Sequence, residues 1–144
     1  MARKRTLLVD TNVLIDYCDK SRPCHDDAVK LVYAAAARND VDLVVLVSSL
    51  KDLYYTLCRR LQNEQLARKA TKVASTSIFR IADLLASYAP LALSSDEPGF
   101  EDGLVRAAAE QMGAEAIVSR DEAAFAGSRV PRLDAHQAAE RLVA

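Results

Sequence analysis

The chain has 144 residues, 51% hydrophobic and 27% charged, enough for one sizeable core with an ordinary soluble composition. A net charge of −1 excludes a broad basic field, so any nucleic acid must be held by a local patch or through metal. The three cysteines, Cys18, Cys24 and Cys58, are odd in number and lack a C-x-x-C pair, which excludes a disulfide framework or zinc ribbon.

They read as reduced thiols of a cytoplasmic protein. The basic start "MARKRTLLVD" imitates a signal peptide, but Asp10 and Asp16 interrupt the apolar stretch that follows. The longest other apolar run, "LVVLV" at 43–47, is far short of a membrane span. The expectation is a soluble, cytoplasmic chain forming one domain over 1–144, with no membrane partner.

Taken in chain order, "TLLV" at 6–9 reads as a strand, and 12–19 and 25–38 as helices. "DLVVLV" at 42–47 is continuously apolar, the mark of a strand covered on both faces. "SLKDLYYTLCRRL" at 49–61 places Leu50, Leu53, Tyr54, Leu57 and Leu61 on one helical face. Residues 64–87 read as helical, in one or two pieces. "PLAL" at 90–93 reads as a weak strand, 100–112 as a helix ending at Gly113, "EAIVS" at 115–119 as a strand, 122–126 as a short helix and "PRL" at 131–133 as the last strand. Asp134, with Gln137 three residues on, is a capping pair that opens a final helix. Strands alternating with helices over short links predict an α/β domain with a mostly parallel sheet. Ligands of such sheets sit outside the carboxyl ends of the strands, where strand order reverses.

Four acids fall at that edge. Asp10 ends the first predicted strand. Asp52 and Asp102 lie in the first turns of helices predicted after the second and third strands, and Asp121 follows the fourth in "IVSRD". Crowded carboxylates repel one another at low dielectric and become tolerable around a hard divalent cation such as Mg²⁺ or Mn²⁺. Asn12 adds an amide near Asp10, and Thr11 and Ser119 add hydroxyls that can orient an acid or a water. Plainer readings exist for each acid. Asp10 can cap the next helix, Asp52 can complement the dipole of a helix capped by Ser49, and Asp102 and Asp121 can play similar parts. Glu101 is expected to point elsewhere on its helix, as a solvated or supporting acid.

The sequence resembles the PIN-domain nucleases, which include the VapC-type toxins of toxin–antitoxin pairs. The resemblance rests on "LLVDTNVLIDY", "VSSLKDLYYTLCRR", "FEDGLVRAAAEQMGAEAIVSRDEAAF" and "VPRLDAHQAAERL", in matching order over nearly the whole chain. It implies a three-layer α/β/α sandwich around a five-stranded parallel sheet. It also implies Mg²⁺- or Mn²⁺-dependent hydrolysis of single-stranded RNA by a metal-activated water, a homodimer and, for a toxin, a small antitoxin partner. On that resemblance Asp10, Asp102 and Asp121 are metal-holding acids, and Asp10, Asp52, Asp102 and Asp121 the catalytic set. Two positions depart from the pattern. Lys51-Asp52 stands where the family usually has a Glu, and Pro98-Gly99 where many relatives have another acid.

Arg59, Arg60, Arg68, Lys69 and Lys72 form a basic stretch that either tracks an RNA backbone or is a solvated helical face. Tyr54 and Tyr55 are adjacent and cannot share a helix face. One belongs to the core; the other packs against a partner or stacks on a base. His25 and His136 lie near predicted helix starts, where surface or capping roles suit them. Two other functions compete with a ribonuclease. One is a binding protein that keeps the fold with a degraded acid set. The other is a phosphatase of the haloacid-dehalogenase type, which needs an acid where Asn12 stands.

Overall fold

The computed structural model describes residues 3–144. Five strands form one parallel sheet in the order β3-β2-β1-β4-β5: β1 (Arg5–Val9), β2 (Val41–Leu46), β3 (Arg80–Ala82), β4 (Ala116–Val118) and β5 (Arg132–Leu133). The chain builds outward from β1 through β2 to β3, then crosses to β4 on the other side of β1. Strand order therefore reverses between β1 and β4, and the site expected of such a sheet lies at their carboxyl ends.

Alternation along β1 assigns the two faces. Leu7 and Val9 face a core shared with Leu43, Val45 and Val118, closed by helices α1 (Thr11–Cys18), α2 (His25–Ala36), α3 (Val47–Leu61), α4 (Glu64–Val73) and α7 (Ala135–Val143). Leu8 faces a second core with Val44, Leu46 and Ile117, closed by α5 (Tyr88–Ser94) and α6 (Phe100–Met112). The result is the three-layer α/β/α sandwich. Gly103 lets α6 approach α5 closely: a Cβ there would lie 2.8 Å from both Cα and Cβ of Ala92. The capping box of Asp134 and Gln137 forms, and Gly113 ends α6 at φ 66°, the left-handed conformation that glycine adopts without steric cost. No helix among the described residues is long and apolar enough to cross a membrane.

Three predicted elements are corrected. "PLAL" is helical: Pro90 is the third residue of α5, in the first turn, where no intrahelical N–H bond is required. A four-residue apolar run cannot by itself separate strand from buried helix. The third strand lies instead at Arg80–Ala82, inside the stretch expected to be helical. There α4 passes into a π-type turn at Ala74–Ile78 and Phe79 turns to extended backbone. The serine- and threonine-rich "ASTSI" suits this break, since such side chains compete for backbone groups; Ser75 and Thr76 both donate to the Lys72 carbonyl. Residues 122–126 form turns rather than a helix, with Phe125 at φ 70°.

Candidate active site

Asp10 follows β1 directly and is only 7% exposed. Its carboxylate caps α1, accepting from the Thr11 N–H at 2.8 Å. The Ser119 hydroxyl, at the end of β4, donates to the other oxygen at 2.9 Å. Ser119 is fully buried and accepts in turn from the Asn12 amide at 3.2 Å and from the Asp121 N–H at 3.1 Å. The Asn12 carbonyl oxygen accepts from the Arg120 N–H at 3.2 Å. Thr11 and buried Ser49 join hydroxyls at 2.8 Å, tying α1 to α3. Asn12, Ser119 and Thr11 thus fix the point where β1, β4 and α3 meet.

A cleft of about 580 Å³ opens above this point, and Asp10, Asp52, Glu101, Asp102 and Asp121 all line it. The acids come from both helical layers and from two strand ends. Asp52 descends from α3, Glu101 and Asp102 from the first turn of α6. Asp102 therefore reaches the cleft from a helix that follows α5, not a strand. The dipole reading of Asp52 weakens, because α3 starts at Val47, two residues earlier than expected; Ser49 is inside the helix and Asp52 lies past its first turn. Glu101 faces the cleft instead of pointing away: α6 meets the cleft with its first turn, so neighbouring residues can both reach it.

Electrostatics mark these acids as a group. Burial raises the pKa of Asp10 against the lowering effect of the Ser119 and Thr11 hydrogen bonds, and Asp121 adds repulsion. Burial also raises Asp102, followed by the charges of Asp10, Asp121 and Glu97. Glu101 is raised first by its hydrogen bond with Asp52, then by burial and by the charges of Asp52, Asp10 and Asp102. Such repulsion is what a hard cation relieves, and an all-oxygen donor set fits Mg²⁺ or Mn²⁺ in chemistry. Among the described residues, no three His, Cys, Asp or Glu side chains stand together as a set that could hold an ion.

Several residues near the site carry no functional signal in the sequence alone. Asp16, 2% exposed, takes Arg22 at 2.7 Å and Arg120 at 2.6 Å. Arg120 is thereby held next to Asp121, and Arg22 lines the cleft. The His25 ring meets the Asp16 carbonyl at 2.8 Å, closing the end of α1, a capping role. Glu97, just before the Pro98-Gly99 departure, has a side chain 2% exposed. It accepts from the Phe125 N–H at 2.6 Å and from Arg106 at 3.1 Å, so this acid secures the loop after Asp121. Of the basic stretch, only Arg59 lines the cleft. Arg60 is held by Asp19 and Ser21, Arg68 by Glu64, and Lys69 and Lys72 are exposed on α4. Tyr55 and Thr56 also line the cleft. Their spacing from Asp52 and Arg59 at i, i+3, i+4 and i+7 was the available signal.

A parallel sheet that gathers carboxylates from both layers at its switch point defines an α/β protein with an acidic cleft at that point. The PIN domain family model matches residues 6–123, and the chain belongs to that family. Two solved structures share the fold. VapC20 of Mycobacterium tuberculosis, described as a sarcin–ricin loop cleaving toxin, is 19% identical, with a TM-score of 0.65 over 81% of this chain and 90% of its own. VapBC2 of Rickettsia felis, bound to a DNA fragment from its promoter, is 15% identical, with a TM-score of 0.70 over 90% of this chain and 98% of that one. No curated protein matches the sequence.

Proposed function

We propose that this PIN-domain protein is a divalent-metal-dependent endoribonuclease acting on single-stranded RNA, and the toxin of a toxin–antitoxin pair. The observation that carries the reading is the meeting of five carboxylates from both helical layers in one cleft at the switch point. The toxin part draws on the two structural relatives, one described as an RNA-cleaving toxin and the other as a VapBC complex. A small antitoxin and a homodimer belong to the same reading, as does a single domain over the whole chain.

Asp10, Asp102 and Asp121 would hold Mg²⁺ or Mn²⁺, with Asp52 and Glu101 completing the acidic wall. A bound cation of this kind polarises a phosphoryl oxygen and lowers the pKa of a coordinated water. The chain's own part is orientation. Ser119 and the Thr11 N–H hold Asp10 in one rotamer. Asn12 and Ser119 anchor the backbone that carries Asp121. Glu101 stands against Asp52, so a longer acid backs the shorter Asp52 side chain.

The test is to incubate purified protein with a pool of cellular RNA, with and without Mn²⁺, and map the cut ends. Cuts with 5′-phosphate and 3′-hydroxyl ends that need Mn²⁺ and vanish in Asp10→Asn are expected. Equal cutting by the variant would remove Asp10 from the catalytic set. One observation favours a second reading, a PIN-fold binding protein: the carboxylates do not stand as a ready-made set for an ion. Melting temperatures unchanged by Mn²⁺, together with uncut RNA, would support it.

A further inference from the structure

Along α3, Asp52, Tyr55, Thr56 and Arg59 recur at i, i+3, i+4 and i+7 and all line the acidic cleft. This spacing sets them on one helical face, over about 10 Å of axis. The acidic end of the stripe meets Glu101; the other end is basic. Arg59 contacts Thr56 at 3.5 Å and makes no ion pair among the described residues. The other cations near the cleft are committed, Arg22 and Arg120 to Asp16, Lys51 to Asp52 at 3.3 Å and Arg60 to Asp19. Arg59 is thus a cation still available to an anion, while Arg22, which also lines the cleft, is paired with Asp16.

Tyr55 is 55% exposed, yet its ring is held. It sits edge-on to Tyr54, centroids 5.0 Å apart and planes at 83°, and the Tyr54 hydroxyl is hydrogen-bonded to Glu64. An exposed aromatic face, fixed from one side and placed between a carboxylate cluster and a free guanidinium, suits base stacking beside phosphate neutralisation. Large contiguous apolar patches mark protein docking; Tyr55 is instead flanked along the cleft by Thr56 and Arg59.

We propose that Tyr55 and Arg59 form a nucleotide-binding platform, Tyr55 stacking on a base next to the scissile phosphate and Arg59 taking a neighbouring phosphate. This rests on the ribonuclease reading for the meaning of "scissile", while binding itself can be measured apart from cleavage. Exposed Tyr55 selects unstacked bases, since inside a duplex both faces of a base are covered by its stacked neighbours. The platform therefore takes single-stranded nucleic acid, with preferences set by stacking strength; RNA as the substrate comes from the ribonuclease reading.

The test uses the full chain carrying Asp10→Asn, in Mn²⁺, so that RNA stays intact. Fluorescence anisotropy follows a labelled oligouridylate and a labelled oligoadenylate over a salt series. Tyr55→Ala and Tyr55→Leu should weaken binding about 10- to 100-fold, the scale of one lost base stack, while Tyr55→Phe binds as the parent does. Arg59→Gln should lower the slope of log K against log salt by about 0.7, one phosphate contact on a single strand; Arg68→Gln should leave it unchanged. Because Tyr55→Leu keeps apolar bulk but has no π-face, binding equal to that of Tyr55→Phe would overturn stacking. So would Tyr55→Ala binding as tightly as the parent, or a parent that binds neither oligonucleotide. RNA cut in the Asp10→Asn background would count against Asp10 as a catalytic residue and leave the platform standing.

Discussion

Asp10 and Asp16 lie six residues apart in "LLVDTNVLIDY", both buried, and the fold treats them in opposite ways. Asp16 is closed on by two guanidinium groups, Arg22 and Arg120. Asp10 receives only neutral donors, the Thr11 N–H, the Ser119 hydroxyl and, at 3.5 Å, the Asn12 amide, and faces further carboxylates across the cleft. One acid is neutralised within the chain and serves architecture, bracing the loop that carries Asp121. The other is left with its charge unbalanced, as suits a group whose counterion arrives from outside. The same contrast recurs between Glu97, secured by Arg106 and the Phe125 N–H, and Asp102, which no ion pair neutralises among the described residues.

The contrast is sharpest in activity. Asp10→Asn should lower Mn²⁺-dependent RNA cleavage by on the order of 10²-fold or more while the chain stays folded. Asp16→Asn should leave the cleavage rate per folded molecule within a few-fold of wild type. Initial rates on one RNA, corrected for folded fraction by circular dichroism, decide it. Equal losses in both variants would break the division into catalytic and architectural acids.

Stability should separate the pair the other way. Asp16→Ala removes the shared partner of two arginines and should cost about 2–3 kcal/mol, less than a fully buried ion pair because both guanidinium groups keep some access to water. Urea unfolding measures it, with the slope unchanged and the midpoint lowered. A cost under about 0.5 kcal/mol, the scale of an ordinary surface substitution, would make the Asp16 cluster a surface ornament rather than a brace.

Much of this was legible in the sequence where a local rule and the fold agree. A buried apolar run ending on Asp10 marks β1 and the site together. Gly113 and the Asp134–Gln137 box mark helix ends because only certain residues satisfy those backbone groups. What escaped was tertiary. "PLAL" and "RIA" are both short and apolar, and only pairing with β2 makes the second a strand. Helical periodicity alone points Glu101 away from the cleft, because it describes a helix seen from the side and not one approached at its end. The Asp16 cluster joins residues from α1, the loop after it and the loop after β4, a proximity no spacing rule encodes.

The smallest expected effect tests the electrostatic half of the comparison. The Asp10, Glu101 and Asp102 carboxyls have raised pKa values in the folded chain, through burial for Asp10 and Asp102 and through the Asp52 hydrogen bond for Glu101. A carboxyl raised on folding binds more protons folded than unfolded between the two pKa values. Its contribution to stability therefore falls as pH rises through that window. Wild type alone is a poor reporter, because Asp40, Glu64 and Glu115 are lowered by Arg38, Arg68 and Arg5 and lose stability on acidification. The difference between Asp10→Asn and wild type isolates the cleft. Without metal at pH 7 the variant should melt higher by roughly 2–4 °C, and the gain should shrink as pH falls toward the ordinary carboxyl value of about 4. Added Mn²⁺ should raise wild type more than the variant and reverse the order. A metal-free variant that melts lower than wild type at pH 7 would mean that the Ser119 and Thr11 hydrogen bonds outweigh the repulsion, and Asp10 would then be a cap as settled as Asp134.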